Sequence, residues 1–347
     1  MSLVAAALAG LTACAGAPAT APTATPGTAA PSPSASATPA VTRSPMPPAS
    51  SSLDSIKVSG AWLKEPKVEV KAPFGIDKTR SKAIIQGKGP KATADAYLQL
   101  HYYGVNGSTG KVFDQSYAAG QPVIMSLSSV VAGFKNGLVG QQEGSRVLIA
   151  MPGSDGYDSN GGQPSADIEV GDTLIFVVDL VQVQRTGPEG ETVTPKAGLP
   201  TVSGTSGTPT IDIPQTTAPT SMQSQVLVKG TGPKITAKDT ILTHYVGYSW
   251  KNRKAIDTHY DQPDVGQLSA AIPGWQKGLV GQTVGSRVLL VLPPSDSFPQ
   301  GSNNPPVDAG DTVVYLVDVL MAVTEPDQSA QASAQASPAQ PQASSGQ

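Results

Sequence analysis

The sequence predicts an α+β protein built from two tandem units, each a curved antiparallel β-sheet wrapped around one short α-helix. Three observations carry that prediction. Residues 127–151 (LSSVVAGFKNGLVGQQEGSRVLIAM) recur as residues 268–292 (LSAAIPGWQKGLVGQTVGSRVLLVL), and so close a repeat marks two copies of one folding unit. Runs such as 173–183 (TLIFVVDLVQV) and 312–323 (TVVYLVDVLMAV) are apolar and β-branched, as a central strand would be. Each copy holds one short helical stretch, which opens with Gly133-Phe134 or Gly274-Trp275 and ends at Gly140 or Gly281, where a left-handed residue can stop a helix. Strand runs plus one helix on one face make an α+β domain.

From the N-terminus, residues 1–14 form a signal segment. Residues 1–13 are small and apolar but too few to span a bilayer as a helix. Leu11-Thr12-Ala13-Cys14 resembles the Leu-x-Ala-Cys box that ends a bacterial lipoprotein signal, without the basic residues that normally precede it. A plain cleaved leader with an idle cysteine stays open as the alternative. Cys14 is the only cysteine, so no intramolecular disulfide can form. The resemblance implies a diacylglyceryl thioether at Cys14, whose two acyl chains anchor firmly where one would not. It also implies an exported protein on the outer face of the cytoplasmic membrane or in the cell envelope.

Residues 15–52 are almost wholly Ala, Pro, Ser, Thr and Gly. Such a segment buries too little apolar surface to offset its ordering entropy and reads as a tether. The tail 325–347 has the same character. Between them lie the two units, 53–185 and 200–324, joined by a Gly/Pro-rich linker at 186–199. Their correspondence runs through VSG (58–60, 202–204), GKGPK and GTGPK (87–91, 230–234), HYYG and HYVG (101–104, 244–247), GSRV (144–147, 285–288) and GDT (171–173, 310–312). The strand of each repeated stretch (145–151, 286–292) and the alternating runs 96–103 and 240–248 complete the β content.

The usual catalytic kits are missing. No Ser/His/Asp grouping recurs between the copies, and no phosphate-binding glycine loop is present. His101 and His244 recur beside a strand tyrosine but lack a partner His or Cys at metal spacing, which reads as structural. A net charge of −3 gives no support to nucleic-acid binding. What recurs is a set of apolar and aromatic residues with one acid: in the first copy Tyr102, Phe113, Asp114, Val130, Val131, Phe134, Tyr157 and Phe176. Phe134 and Trp275 could equally be ordinary core residues on this evidence.

The order of motifs decides between those readings. HYYG, then Gly110-x-x-Phe113-Asp114-x-Ser116, VVAGF at 130–134, GLVG at 137–140, GSR at 144–146, Tyr157 and GDTLIFVVDL at 171–180 resemble the FKBP family of peptidyl-prolyl cis-trans isomerases. The resemblance covers about 85–183 and 224–323. It implies that Phe134 is the base on which a prolyl ring sits and that Tyr102, Phe113 and Phe176 are walls. It further implies that Val130 and Val131 grip ligands through their backbone, that the Tyr157 hydroxyl meets the substrate carbonyl, and that Asp114 lies near the twisting bond. Asp114 could instead tie down a neighbouring loop. The loop around Tyr157 (PGSDGYDSNGG) departs from the family's usual sequence, as does Phe134 where Trp is usual.

In the second copy Tyr245, Asp257, Ile272 and Trp275 keep the pattern. Ile256 replaces the wall phenylalanine, Phe298 the hydroxyl-bearing tyrosine and Tyr315 the last strand's phenylalanine. The reading is a monomeric, surface-tethered prolyl isomerase for X–Pro segments of unfolded or exported proteins, open to macrolide ligands, with no cofactor, metal or nucleic acid. The first unit is expected to be the better enzyme. A catalytically weak binding or chaperone module is the alternative, and a cell-surface spacer the weaker third.

Overall fold

The computed structural model describes residues 48–204 and 207–324. The signal segment with Cys14, most of the tether and the tail 325–347 lie outside the described residues. The first unit contains β1 (Lys57–Ser59), β2 (Lys67–Glu69), β3 (Arg80–Ile85), β4 (Tyr97–Asn106), β5 (Val112–Gln115), β6 (Val123–Ser126), α1 (Ala132–Leu138), β7 (Arg146–Met151) and β8 (Leu174–Val183). The second contains β9 (Gly190–Thr192), β10 (Thr201–Ser203), β11 (Thr210–Asp212), β12 (Gln223–Gly230), β13 (Asp239–Ser249), β14 (Ala255–Gln267), α2 (Pro273–Leu279), β15 (Arg287–Leu292), β16 (Ser302–Asn303), β17 (Pro306–Val307) and β18 (Val313–Thr324).

All named pairings are antiparallel. The first sheet runs β3-β7-β8-β4-β5 with β6 also on β4, and the second runs β14-β13-β18-β15-β12-β9. Strands β8 and β18 lie mid-sheet, which is why their sequences are apolar at nearly every position rather than alternating. One face of β8 (Leu174, Phe176, Val178, Leu180) joins the core beneath α1. The other (Ile175, Val177) is covered by Leu53, Ile56, Phe74 and Ile76 from the chain that precedes β3. The second unit repeats this, with Ile211, Ile213 and Trp250 over Val314 and Leu316.

Two segments read from composition as tether and linker contain paired backbone. Ser50, inside the tether, bridges Ile76 in parallel and donates its N–H to the Gly75 carbonyl. Gly190–Thr192, inside the linker, is an edge strand paired to β12. Both are short polar pieces with no hydrophobic period to reveal them.

The helix sits close on its sheet because glycine lets it. A Cβ on Gly133 would lie 2.6 Å from the Met151 Cβ, and one on Gly137 would lie 2.7 Å from Ile149 Cγ2. The same face buries Phe134 and Leu138. Gly140 (φ +82°) and Gly281 (φ +85°) follow α1 and α2 in the left-handed region, where glycine carries no Cβ penalty.

Candidate active site

In the first unit the sheet and helix converge on one aromatic corner. Tyr102 comes from β4, Phe113 and Asp114 from β5, and Phe176 from β8. Val130 and Val131 lead into α1, which carries Phe134. The Phe176 ring meets Phe113 edge-on at 5.4 Å (89°) and Phe134 edge-on at 5.2 Å (85°). Phe134 and Phe176 are buried, while Tyr102, Phe113, Val130, Val131 and Tyr157 are half-buried against the same cluster. All eight residues singled out in the first copy are thus brought to one place.

One polar thread crosses this apolar corner. Tyr102 donates its hydroxyl to Asp114 Oδ2 at 2.7 Å, and Asp114 Oδ1 accepts the Gln115 N–H at 2.8 Å. The carboxylate therefore orients a wall of the corner and its own strand together. Burial pushes the Tyr102 hydroxyl well above the usual phenol range, helped by its bond to Asp114. Burial likewise raises Tyr157, with the Asp114 charge acting in the same direction. Both hydroxyls stay protonated at neutral pH. The loop bearing Tyr157 folds as two 3₁₀ turns, Gly153–Asp155 and Asp158–Asn160, and the Tyr157 carbonyl accepts N–H bonds from Asn160 and Gly162.

The second unit holds an open pocket of about 180 Å³ lined by Tyr245, Asp257, Ile272, Trp275, Phe298 and Tyr315, with Ala271 and Pro305 completing it. Trp275 meets Tyr245 edge-on at 5.0 Å and Tyr315 at 5.6 Å. Tyr245 donates to Asp257 Oδ2 at 3.0 Å, repeating the thread of the first unit. His259 stacks on Tyr245 at 4.8 Å, with Nε2 3.6 Å from Asp257 Oδ1. Ile256 packs against the cluster that holds Tyr245, Trp275 and Tyr315, and also lines a polar cleft of about 580 Å³ with Asn252, Lys254 and Asp308.

Sequence reasoning missed Val123 and Met125, which pack against the first cluster from β6, and Pro305 in the second. The alternation of Val123 and Met125 was a legible signal. It also missed a buried pair behind each site. Arg146 Nε and Nη2 reach the Asp179 carboxylate at 2.7 Å, with both side chains fully buried, and Tyr117 donates to Asp179 at 2.8 Å. Arg287, Asp318 and Tyr260 repeat the arrangement. His101 stacks on Tyr117 at 4.6 Å and its Nδ1 lies 3.0 Å from Ser116 Oγ, consistent with a structural role.

The sequence profile described as FKBP-type peptidyl-prolyl cis-trans isomerase matches residues 89–181 and 232–320. The chain belongs to the FKBP-type peptidyl-prolyl cis-trans isomerase family. Both matched regions fall on the sheets and helices that build the two aromatic sites, so the FKBP fold occurs twice. The chain is 30% identical over 120 residues to a probable FK506-binding protein of Corynebacterium glutamicum, covering 34% of this chain and 98% of that protein. It is 38% identical over 104 residues to an FK506-binding protein of Streptomyces anulatus, covering 29% and 83%. A solved peptidyl-prolyl cis-trans isomerase of Pseudomonas syringae pv. tomato is 28% identical, covers 30% of this chain and 74% of that one, and gives a TM-score of 0.28.

Proposed function

We propose that the first unit is the working prolyl isomerase, with a site made of Tyr102, Phe113, Asp114, Val130, Val131, Phe134, Tyr157 and Phe176. The observation that carries this is the aromatic corner, in which Phe176 stands edge-on to both Phe113 and Phe134. Each sheet, in this reading, curls around its helix so that the helical aromatic floors a cup. A prolyl ring rests on Phe134, and the Val131 N–H and Tyr157 hydroxyl receive substrate carbonyls.

Rotation about an X–Pro bond faces a barrier of about 18–20 kcal/mol from amide resonance. The twisted amide has lost that resonance and is less polar than the planar form, so an apolar cup that holds the twisted form better lowers the barrier by differential binding. No bond is made or broken and no proton moves. Asp114 acts by holding Tyr102 rather than as a base.

The second unit is read as a weaker isomerase or a binding module. Its cavity and Trp275 support binding, while Phe298 stands where the first unit has Tyr157. FK506-like macrolides are proposed ligands of both units, by likeness to the FK506-binding relatives. The chain is further proposed to be a monomer with units 53–185 and 200–324, exported and tethered through acylated Cys14 by residues 15–52, a reading supported by the Leu11–Cys14 box. Its clients would be X–Pro segments of exported proteins, which isomerise in tens of seconds or more unaided.

A protease-coupled isomerisation assay on the intact chain tests the assignment. Phe134→Ala should lower kcat/KM by about tenfold or more, as loss of a buried aromatic contact of a few kcal/mol requires, and Trp275→Ala should change it little. An intact chain no faster than background, or a loss confined to Trp275→Ala, would overturn the assignment.

A further inference from the structure

Next to the Trp275 pocket of the second unit lies another cavity, of about 200 Å³, which shares Trp275 and Ala271 with it. Strand register explains its origin. In the first unit Leu98 faces Met125 and Leu100 faces Val123 across β4 and β6, and Val123 and Met125 pack against the core. At the corresponding step of β13 and β14, Ile241 faces Gly266 and Thr243 faces Asp264. Methionine has become glycine and valine has become aspartate. A Cβ built on Gly266 meets nothing within 4 Å, so the volume vacated there stays open. Phe134 has its counterpart in Trp275, which adds a larger ring to the wall between the two cavities.

The lining chemistry selects the occupant. Ile241, Leu268, Ala271 and Trp275 offer apolar surface, and among the described residues lining the cavity Asp264 alone carries a charge. A neutral apolar side chain entering here would strip water from a carboxylate without replacing it. An acidic one would meet a like charge. A lysine or arginine fits both features, since its aliphatic stem lies along the Trp275 ring while the cation reaches the carboxylate. Because the two cavities share Trp275 and Ala271 in their linings, a segment whose proline lies in the first is positioned to place a neighbouring side chain in the second.

We propose that the Asp264 cavity is a specificity subsite through which the second unit prefers prolyl segments with a neighbouring basic residue. The first unit, filled at this place by Val123 and Met125, has no such preference. The proposal rests on reading the Trp275 cavity as a prolyl site, and the experiment separates the two. The intact chain labelled with 5-fluorotryptophan is titrated with Ala-Lys-Pro-Phe, Ala-norleucine-Pro-Phe and Ala-Glu-Pro-Phe, and occupancy is read from the Trp275 fluorine resonance, assigned with Trp275→Phe.

The lysine peptide should bind about five- to tenfold tighter than its norleucine isostere, the scale of a partly buried charge pair, and the glutamate peptide weakest. Asp264→Asn should erase the lysine preference, and Gly266→Met, which restores the filling residue of the first unit, should erase it independently. Equal affinities for all three peptides, or a lysine preference untouched by both variants, would overturn the subsite while leaving the prolyl reading standing. A Trp275 resonance moved by none of the peptides would overturn both.

Discussion

Tyr157 and Phe298 differ by one oxygen, and that oxygen separates the two units chemically. The Tyr157 hydroxyl is held protonated by burial and by the Asp114 charge. A neutral hydrogen bond contributes about 1 kcal/mol, so Tyr157→Phe should lower kcat/KM about fivefold. Phe298→Tyr, measured in a Phe134→Ala background that silences the first unit, should raise the residual rate by a similar factor. The identities of both residues were legible in the sequence, because the motif order fixes their positions. The partners of Asp114 were not. One carboxylate accepts from the Tyr102 hydroxyl and from the next residue's N–H, so Asp114 is tied to a wall of the corner and to its own strand at once. Ile256 was legible only as a replacement: Asp257 faces Gly247 as Asp114 faces Gly104, so Ile256 stands at the register position of Phe113 with a smaller side chain.

At the scale of the element, the surprise lies on the far face of each sheet. The buried runs of β8 and β18 announced central strands, but nothing in their pattern said what covers the second face. That cover is the N-terminal extension of each unit, whose strands of three residues are too short to show a period. In the first unit it also encloses the buried ion pair. The Gly60 and Lys64 carbonyls accept from the Arg146 guanidinium, and the Leu63 N–H donates to Asp179 Oδ2 at 2.7 Å. Asp179→Asn would leave that guanidinium buried and uncompensated, and should cost about 3–5 kcal/mol of stability, read by urea denaturation. The matching Asp318→Asn should cost less, because the Arg287 side chain is 17% exposed where that of Arg146 is 0%. Equal losses would contradict a structural role for the extension. The helices, by contrast, were fully legible, since the glycines that stop them and the glycines that let them approach β7 and β15 stand in both copies.

Over the whole molecule, duplication makes the pH response of one unit recur in the other. Burial lowers both His101 and His244 below the usual 6.5, with Asp179 and Asp318 opposing it more weakly. The folded state favours the neutral rings, so their stabilisation is present above that value and lost as pH falls through it toward the folded pKa. Thermal unfolding should therefore weaken with acidification, and the double variant His101→Gln, His244→Gln should flatten the slope. An unchanged slope would show that neither ring is held neutral by the fold. The catalytic rate should behave differently, because the account assigns no proton transfer to it. The decisive measurement is kcat/KM of the intact chain for an uncharged X–Pro peptide, followed across pH in ordinary and heavy water. The account predicts a flat profile between about pH 6.5 and 9, below the range where the Tyr102 and Tyr157 hydroxyls ionise, and no solvent isotope effect. A bell-shaped profile with a slower rate in heavy water would contradict it.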